Sequence, residues 1–105
     1  MKSGEKTVIR TVLEEELARN LKMQNAYTNE LNNLPKGIIE IVERNGHRYC
    51  YLKFRDGKRV IRKYLGKFEN TDIESLRKSI ERRKYFSNVL KDLKNEEYEI
   101  KKALK

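Results

Sequence analysis

Leu13, Leu17, Asn20, Gln24, Tyr27, Leu31 and Leu34 recur at alternating intervals of four and three residues. That is the a/d rhythm by which one face of a helix meets another helix. It predicts a helix over 4–34, with Ser3 as N-cap and acidic Glu5 in the first turn, where the helix dipole favours it. Asn20 and Gln24 are polar members of the seam and weaken it. Pro35 ends the helix, because the residue before a proline is pushed out of the α region.

From 38 to 65 β-branched and aromatic residues are dense, the composition strands prefer. Asn45-Gly46 and Asp56-Gly57 are hairpin signals, since both central turn positions need positive φ. They predict a three-stranded antiparallel meander with strands over 38–44, 47–55 and 58–65. The last segment opens on Thr71-Asp72-Ile73-Glu74, which fits a capping box with Thr71 as cap and Glu74 at the third helical position. Ile73, Leu76 and Ile80 form an apolar stripe, which Phe86, Leu90, Leu93, Ile100 and Leu104 continue after a phase slip. No Gly or Pro interrupts 71–105. A helix over 72–104 follows, about 50 Å long at ~1.5 Å per residue.

The fold class is therefore α+β: a long N-terminal helix, a three-stranded antiparallel meander and a long C-terminal helix, in one domain over 1–105. Each helix has one apolar stripe to bury. An antiparallel, coiled-coil-like helical hairpin with the sheet at its tip buries both.

Two-residue turns set the register, and register sets the face each side chain takes. Around Asn45-Gly46, residue 44 pairs with 47, 42 with 49 and 41 with 50. Around Asp56-Gly57, 54 pairs with 59, 52 with 61 and 51 with 62. One face then carries Ile39, Ile41, Cys50, Leu52, Phe54, Ile61 and Leu65. It is expected to pack on the helices, with Cys50 a small buried apolar group. The other carries Arg44, His47, Tyr49, Tyr51, Lys53, Val60, Arg62 and Tyr64, with Tyr49 opposite Tyr64 and Tyr51 opposite Arg62.

Charge changes how that second face reads. Lys and Arg number 25 against 16 Asp and Glu, a net +9. Residues 1–34 are neutral, 35–70 carry +6 and 71–105 carry +3. The excess sits on the meander. Charged residues make up 39% and hydrophobic ones 37%, against about 25% and 45–50% in ordinary domains. A large core and a deep catalytic pocket are excluded.

Several chemistries fall away. One Cys allows no internal disulfide, which suits a reducing cytoplasm. His47 and Cys50 are too few for a zinc site, which takes about four ligands. Met1 to Thr7 lacks the apolar core of a signal peptide, and no run reaches the ~20 apolar residues that span a bilayer. There is no phosphate-binding Gly loop and no nucleophile elbow. The expectation is a cytoplasmic protein that is not an enzyme and uses no metal or cofactor.

A face of interleaved cations and tyrosines suits nucleic acid. Cations neutralise phosphates, and rings stack on bases. The candidate binding residues are Arg44, His47, Tyr49, Tyr51, Lys53, Arg55, Lys58, Arg62 and Tyr64, with Arg77, Arg83 and Lys84 extending the surface along the last helix. A plainer reading stands beside this. Cross-strand Tyr–Tyr and Tyr–Arg pairs stabilise a sheet by roughly 0.2–1 kcal/mol each. The helix cations can form a solvated face with Glu74 and Glu81. His47 sits beside a turn and reads as a turn residue.

The string from Arg48 to Lys58, then Lys63-Tyr64-Leu65-Gly66-Lys67, resembles a small uncharacterised family of bacterial, archaeal and phage proteins. Its members share a leading Leu-Pro-x-Gly, here Leu34 to Gly37, a Tyr-rich meander closing in Lys-Tyr-x-Gly, and a charged helix. The likeness covers 34–105 and implies no activity. Asp56 to Arg59, Tyr64 to Phe68 and the capped helix are also similar to the arm-type DNA-binding domain of tyrosine integrases. That resemblance implies a sheet laid in the major groove, with Tyr49, Tyr51, Lys53, Val60, Arg62 and Tyr64 toward DNA. The chain departs from it in lacking a middle-strand Trp, in its longer helix and in having no recombinase part.

These readings converge on a small nucleic-acid-binding accessory protein of a phage or mobile element, with DNA favoured over RNA. The alternative is a protein-binding module. It could be a phage inhibitor docking on a host defence nuclease or nucleoprotein complex, or a coiled-coil adaptor or homodimer joined through the long helices. The polar seam positions Asn20, Gln24 and Arg83 motivate that alternative.

Overall fold

The computed structural model describes residues 7–105. The chain runs through α1 (Val8–Asn32), β1 (Ile38–Arg44), β2 (His47–Asp56), β3 (Arg59–Lys67), a 3-10 turn at Phe68–Asn70, and α2 (Ile73–Leu104). Element order and class are those the sequence predicts. The caps differ. Thr7 is non-helical, and its Oγ1 accepts the backbone N–H of Arg10 at 3.1 Å, an N-cap bond. Ser3 and Glu5 lie outside the described residues. At α2 the cap is Asp72 and not Thr71: Asp72 Oδ1 accepts the Ser75 N–H at 3.0 Å. Thr71 instead donates its hydroxyl to the Lys67 carbonyl at 2.8 Å and closes the 3-10 turn. Glu74 therefore falls one position short of where a capping box needs it.

The chain forms two compact units. One holds α1 with Tyr85–Lys105, the other Asn33–Lys84. The division after Lys84 falls where the α2 stripe slips phase. Apart from 79 and 89, its buried and half-buried positions step through 73, 76, 80 and 83, then 86, 90, 93, 97, 100 and 104. Two successive steps of three, 80–83–86, rotate the stripe around the helix.

In the helical unit α1 runs antiparallel to the second half of α2. Arg10 Nη1 donates to the Leu104 carbonyl at 2.9 Å, Asn20 Nδ2 to the Leu93 carbonyl at 2.9 Å, and the Tyr27 ring lies 5.3 Å from Phe86. Leu13, Leu17, Gln24, Tyr27 and Leu31 are half-buried along the seam. Its polar members are hydrogen-bonded across the two helices. Asn20 is the most enclosed of them, at 1% exposure. Gln24 Nε2 donates to Asn20 Oδ1 at 2.7 Å and to Glu97 Oε1 at 2.8 Å, and Lys101 Nζ holds Glu97 Oε2 at 2.6 Å. A chain of satisfied polar groups thus crosses the two helices, where an apolar seam alone would permit slippage.

The Lys101 ammonium, then the Gln24 amide, hold the Glu97 carboxyl below its ordinary value. A depressed carboxylate contributes stability that is complete above the unfolded-state value and lost as pH falls through the folded one. Glu97→Gln should therefore be less stable than the parent at neutral pH. The gap should close below about pH 4. Urea midpoints of both proteins across acid pH check this, and a gap that persists in acid counts against it.

In the second unit the strands are ordered β1-β2-β3, all antiparallel. The first hairpin has the expected register, with Arg44 opposite His47 and Ile41 opposite Cys50. Asn45 (φ 52°) and Gly46 (φ 80°) form the turn, both in the left-handed region. The second hairpin differs. Its turn is Gly57-Lys58, with Asp56 opposite Arg59, Phe54 opposite Ile61 and Tyr51 opposite Tyr64. Gly57 (φ 62°) stands first in the turn and Lys58 keeps negative φ. That is the arrangement of a type II′ turn, where the sequence reading centred a type I′ turn on Asp56-Gly57. A bulge follows, with Cys50 opposite Gly66 and Tyr49 opposite Lys67. Tyr49 and Tyr64 are therefore not direct partners, nor are Tyr51 and Arg62.

The slip is two residues, an even number, so the faces survive it. Cys50, Leu52 and Ile80 are buried, while Ile39, Phe54, Ile61 and Leu65 are half-buried. Ile41, expected in the core, is 40% exposed near the first turn. Arg48 lies on the same side, its guanidinium 4.0 Å from the centre of the Phe68 ring.

Candidate nucleic-acid interface

The outer face of the sheet is assembled by register. Rows across the strands bring together Ile38, Lys53 and Arg62, then Glu40, Tyr51 and Tyr64, then Val42, Tyr49 and Lys67. Arg44 pairs with His47 at one end, and Arg55 with Val60 at the other. Eight of the nine expected residues, Arg44, His47, Tyr49, Tyr51, Lys53, Arg55, Arg62 and Tyr64, lie on this face. Lys58 does not, because it occupies the turn.

The centre of the face is a bonded cluster. Tyr64 packs 5.4 Å from Tyr51 and 6.5 Å from Tyr49 in tilted geometry. The Arg62 guanidinium lies 4.6 Å over the Tyr51 ring and ends in an ion pair with Glu40. Arg62 thus reaches from β3 across β2 to β1. Tyr49 and Tyr51 are half-buried by this packing, and Tyr64 is 53% exposed.

Sequence reasoning missed Glu40 and Lys67. Glu40 could have been placed from the first hairpin, since 40 must oppose 51. Lys67 could not, because the bulge at Gly66 resets the alternation. The helix extension is only partly present. Arg83 Nη1 donates to the Leu34 carbonyl at 2.8 Å and is committed inside the unit. Arg77 and Lys84, with Glu81, line a shallow groove beside Gly37 and Ile39. Ile38, at the end of the outer sheet face, also lines that groove.

Electrostatics separate the two units sharply. Asn33–Lys84 holds fifteen basic and seven acidic residues, a net +8 of the chain's +9. Among the described residues, no group of His, Cys, Asp or Glu is placed to hold a metal ion, and no helix is long and apolar enough to cross a membrane.

No curated protein and no solved structure matches the chain. A family model does, over residues 5–75. It takes in α1, the whole meander and the capped start of α2, so it begins well before the Leu34 from which a family resemblance was expected. With more than half its length matched, the chain belongs to the family described as a domain of unknown function, DUF6788.

Proposed function

We propose that the sheet unit is a nucleic-acid-binding module that works through its outer face. The observation that carries this reading is the net +8 on Asn33–Lys84 beside a sheet face of tyrosines and cations. A charge of that size on so small a unit favours a polyanion, and its rings give the polyanion's bases something to lie on. The role fits an accessory protein that does no chemistry of its own. The integrase likeness supports the choice of this sheet face, although that family lays it in a duplex groove.

The protein-binding alternative rests on the long helices and on three polar seam positions. Asn20, Gln24 and Arg83 suggested a seam awaiting a partner, and all three hydrogen-bond within the chain.

Lys53 and Arg55 are the informative pair to reverse, because among the described residues neither is in a bonded cluster as Arg62 is. Lys53→Glu with Arg55→Glu should weaken nucleic-acid binding about 10- to 100-fold and lower the salt slope by about two. Fluorescence anisotropy across a salt series reads both, with circular dichroism as the fold control. Unchanged affinity in a folded double variant would remove this face from the reading.

A further inference from the structure

The strand state of the ligand can be inferred from how the centre of the face is already bonded, and this rests on the nucleic-acid reading above. We propose that the ligand is single-stranded, with bases seated on Tyr64 and the Arg62–Tyr51 stack and phosphates on Lys53, Arg55 and Lys67.

A sheet that reads a duplex groove needs free donors standing out toward base edges. The central candidate for that task is Arg62, and it does not stand out. It lies over Tyr51, 4.6 Å from the ring centre, and spends N–H capacity on Glu40. Glu40, on the edge strand β1, also puts a carboxylate, 33% exposed, in the middle row of the surface a duplex would cover. There it would face the strong negative potential of paired phosphate lines. The centre is thus a neutral aromatic plate and the surround is cationic.

That division suits a strand whose bases have left their partners. Such bases offer flat faces, and a ring or a guanidinium plane accepts them regardless of sequence. Tyr64 is the exposed ring, held at its angle by Tyr51 and Tyr49. Same-face side chains along a strand repeat every ~6.8 Å. Tyr49, Tyr51, Lys53 and Arg55 on β2 therefore pass from ring to cation in even steps. Lys67 stands beside Tyr49 as its cross-strand partner, and Arg44 lies in the next row beyond it. Rings in the middle with cations at both ends match bases over the plate and backbone beyond it. DNA and RNA single strands share this chemistry, so both belong in the test.

The test is anisotropy at physiological salt with one labelled sequence as single-stranded DNA, single-stranded RNA and duplex DNA. At least one single strand should bind about 10-fold or more tightly than duplex. Tyr64→Ala should weaken single-strand binding about 10-fold and leave duplex binding unchanged, while Tyr64→Phe, which keeps the ring, should retain it. The chain has no Trp, so quenching of tyrosine emission by the single strand reports stacking directly. Duplex bound as tightly as single strand and weakened by the Lys53 and Arg55 reversal would overturn the strand assignment and leave the interface standing. So would a Tyr64→Ala protein that is folded and undiminished. No binding to any of the three would overturn both.

Discussion

Replacing Gly37 with alanine should cost about 3 kcal/mol of stability, a large share of the ~5–15 kcal/mol that holds a domain of this size. Two separate penalties act there. Gly37 has φ +126°, a region that side-chain-bearing residues rarely adopt. A Cβ built on it would also stand 2.4 Å from the Lys53 carbonyl oxygen and 3.0 Å from the Phe54 Cβ. The obstacle is the backbone of the central strand, which cannot swing aside as a side-chain tip can. Relief requires β1 to lift from β2 at Ile38, where the ladder begins opposite Lys53.

Gly46 is the control. It too has positive φ, +80°, but nothing lies within 4 Å of its would-be Cβ. Gly46→Ala should therefore cost only about 1–2 kcal/mol, the conformational part alone. Urea denaturation followed by circular dichroism compares the two. Equal losses would mean that crowding at Lys53 contributes nothing and that only φ matters.

The elements that could be read from sequence are those whose signal is local and redundant. The seam from Leu13 to Leu31 announced α1 by period, and the dense apolar and aromatic strands announced the meander. The phase slip near Arg83 was visible as an irregular interval, although its consequence, a division after Lys84, was not. Features decided by one competing hydrogen bond were illegible. Thr71 and Asp72 are both good caps by type, and the choice fell to Asp72 because Thr71 is used on Lys67. Asp56-Gly57 and Gly57-Lys58 are both acceptable turns. The sequence pattern could not separate them, because a two-residue shift leaves every side chain on its own face.

The candidate site inherits this mixture. Its membership was readable from alternation, which is why Tyr49, Tyr51, Lys53, Arg62 and Tyr64 were found together. Its internal bonding was not. Reading Arg62 as a free cation opposite Tyr51 makes it a phosphate contact. The actual register places it diagonal to Tyr51 and within reach of Glu40, so it becomes part of the plate. One hairpin slip thus changes the chemistry attributed to the site and moves Lys58 into the turn, while the other expected strand residues keep their face.

Asn20→Asp should destabilise the helical unit by about 3–5 kcal/mol at neutral pH, with the loss fading in acid. The substitution barely changes shape. It replaces an amide donor, bonded to the Leu93 carbonyl at 2.9 Å, with a carboxylate that is 1% exposed if it keeps the asparagine position. Oxygen then faces oxygen, and the Glu96 carboxylate, 3.4 Å from the asparagine nitrogen, adds like charge. Burial, the lost donor and Glu96 all raise the new carboxyl's folded-state pKa above the ordinary aspartate value of about 3.9. The sign is opposite to that at Glu97. A raised acid costs nothing while both states are protonated, and its penalty grows as pH climbs from the unfolded value to the folded one. Below about pH 4 the protonated acid again offers Leu93 a donor, and the variant should approach the parent. Asn20→Leu separates charge from polarity. It removes the donor without burying a charge, Leu93 keeps its helix bond, and Gln24 keeps Glu97. A change within about 1.5 kcal/mol is expected there. Denaturation midpoints of the three proteins between acid and neutral pH decide the matter. An Asn20→Asp loss that does not vary with pH, or that Asn20→Leu equals, would show that the amide fills space and that its donor is not needed.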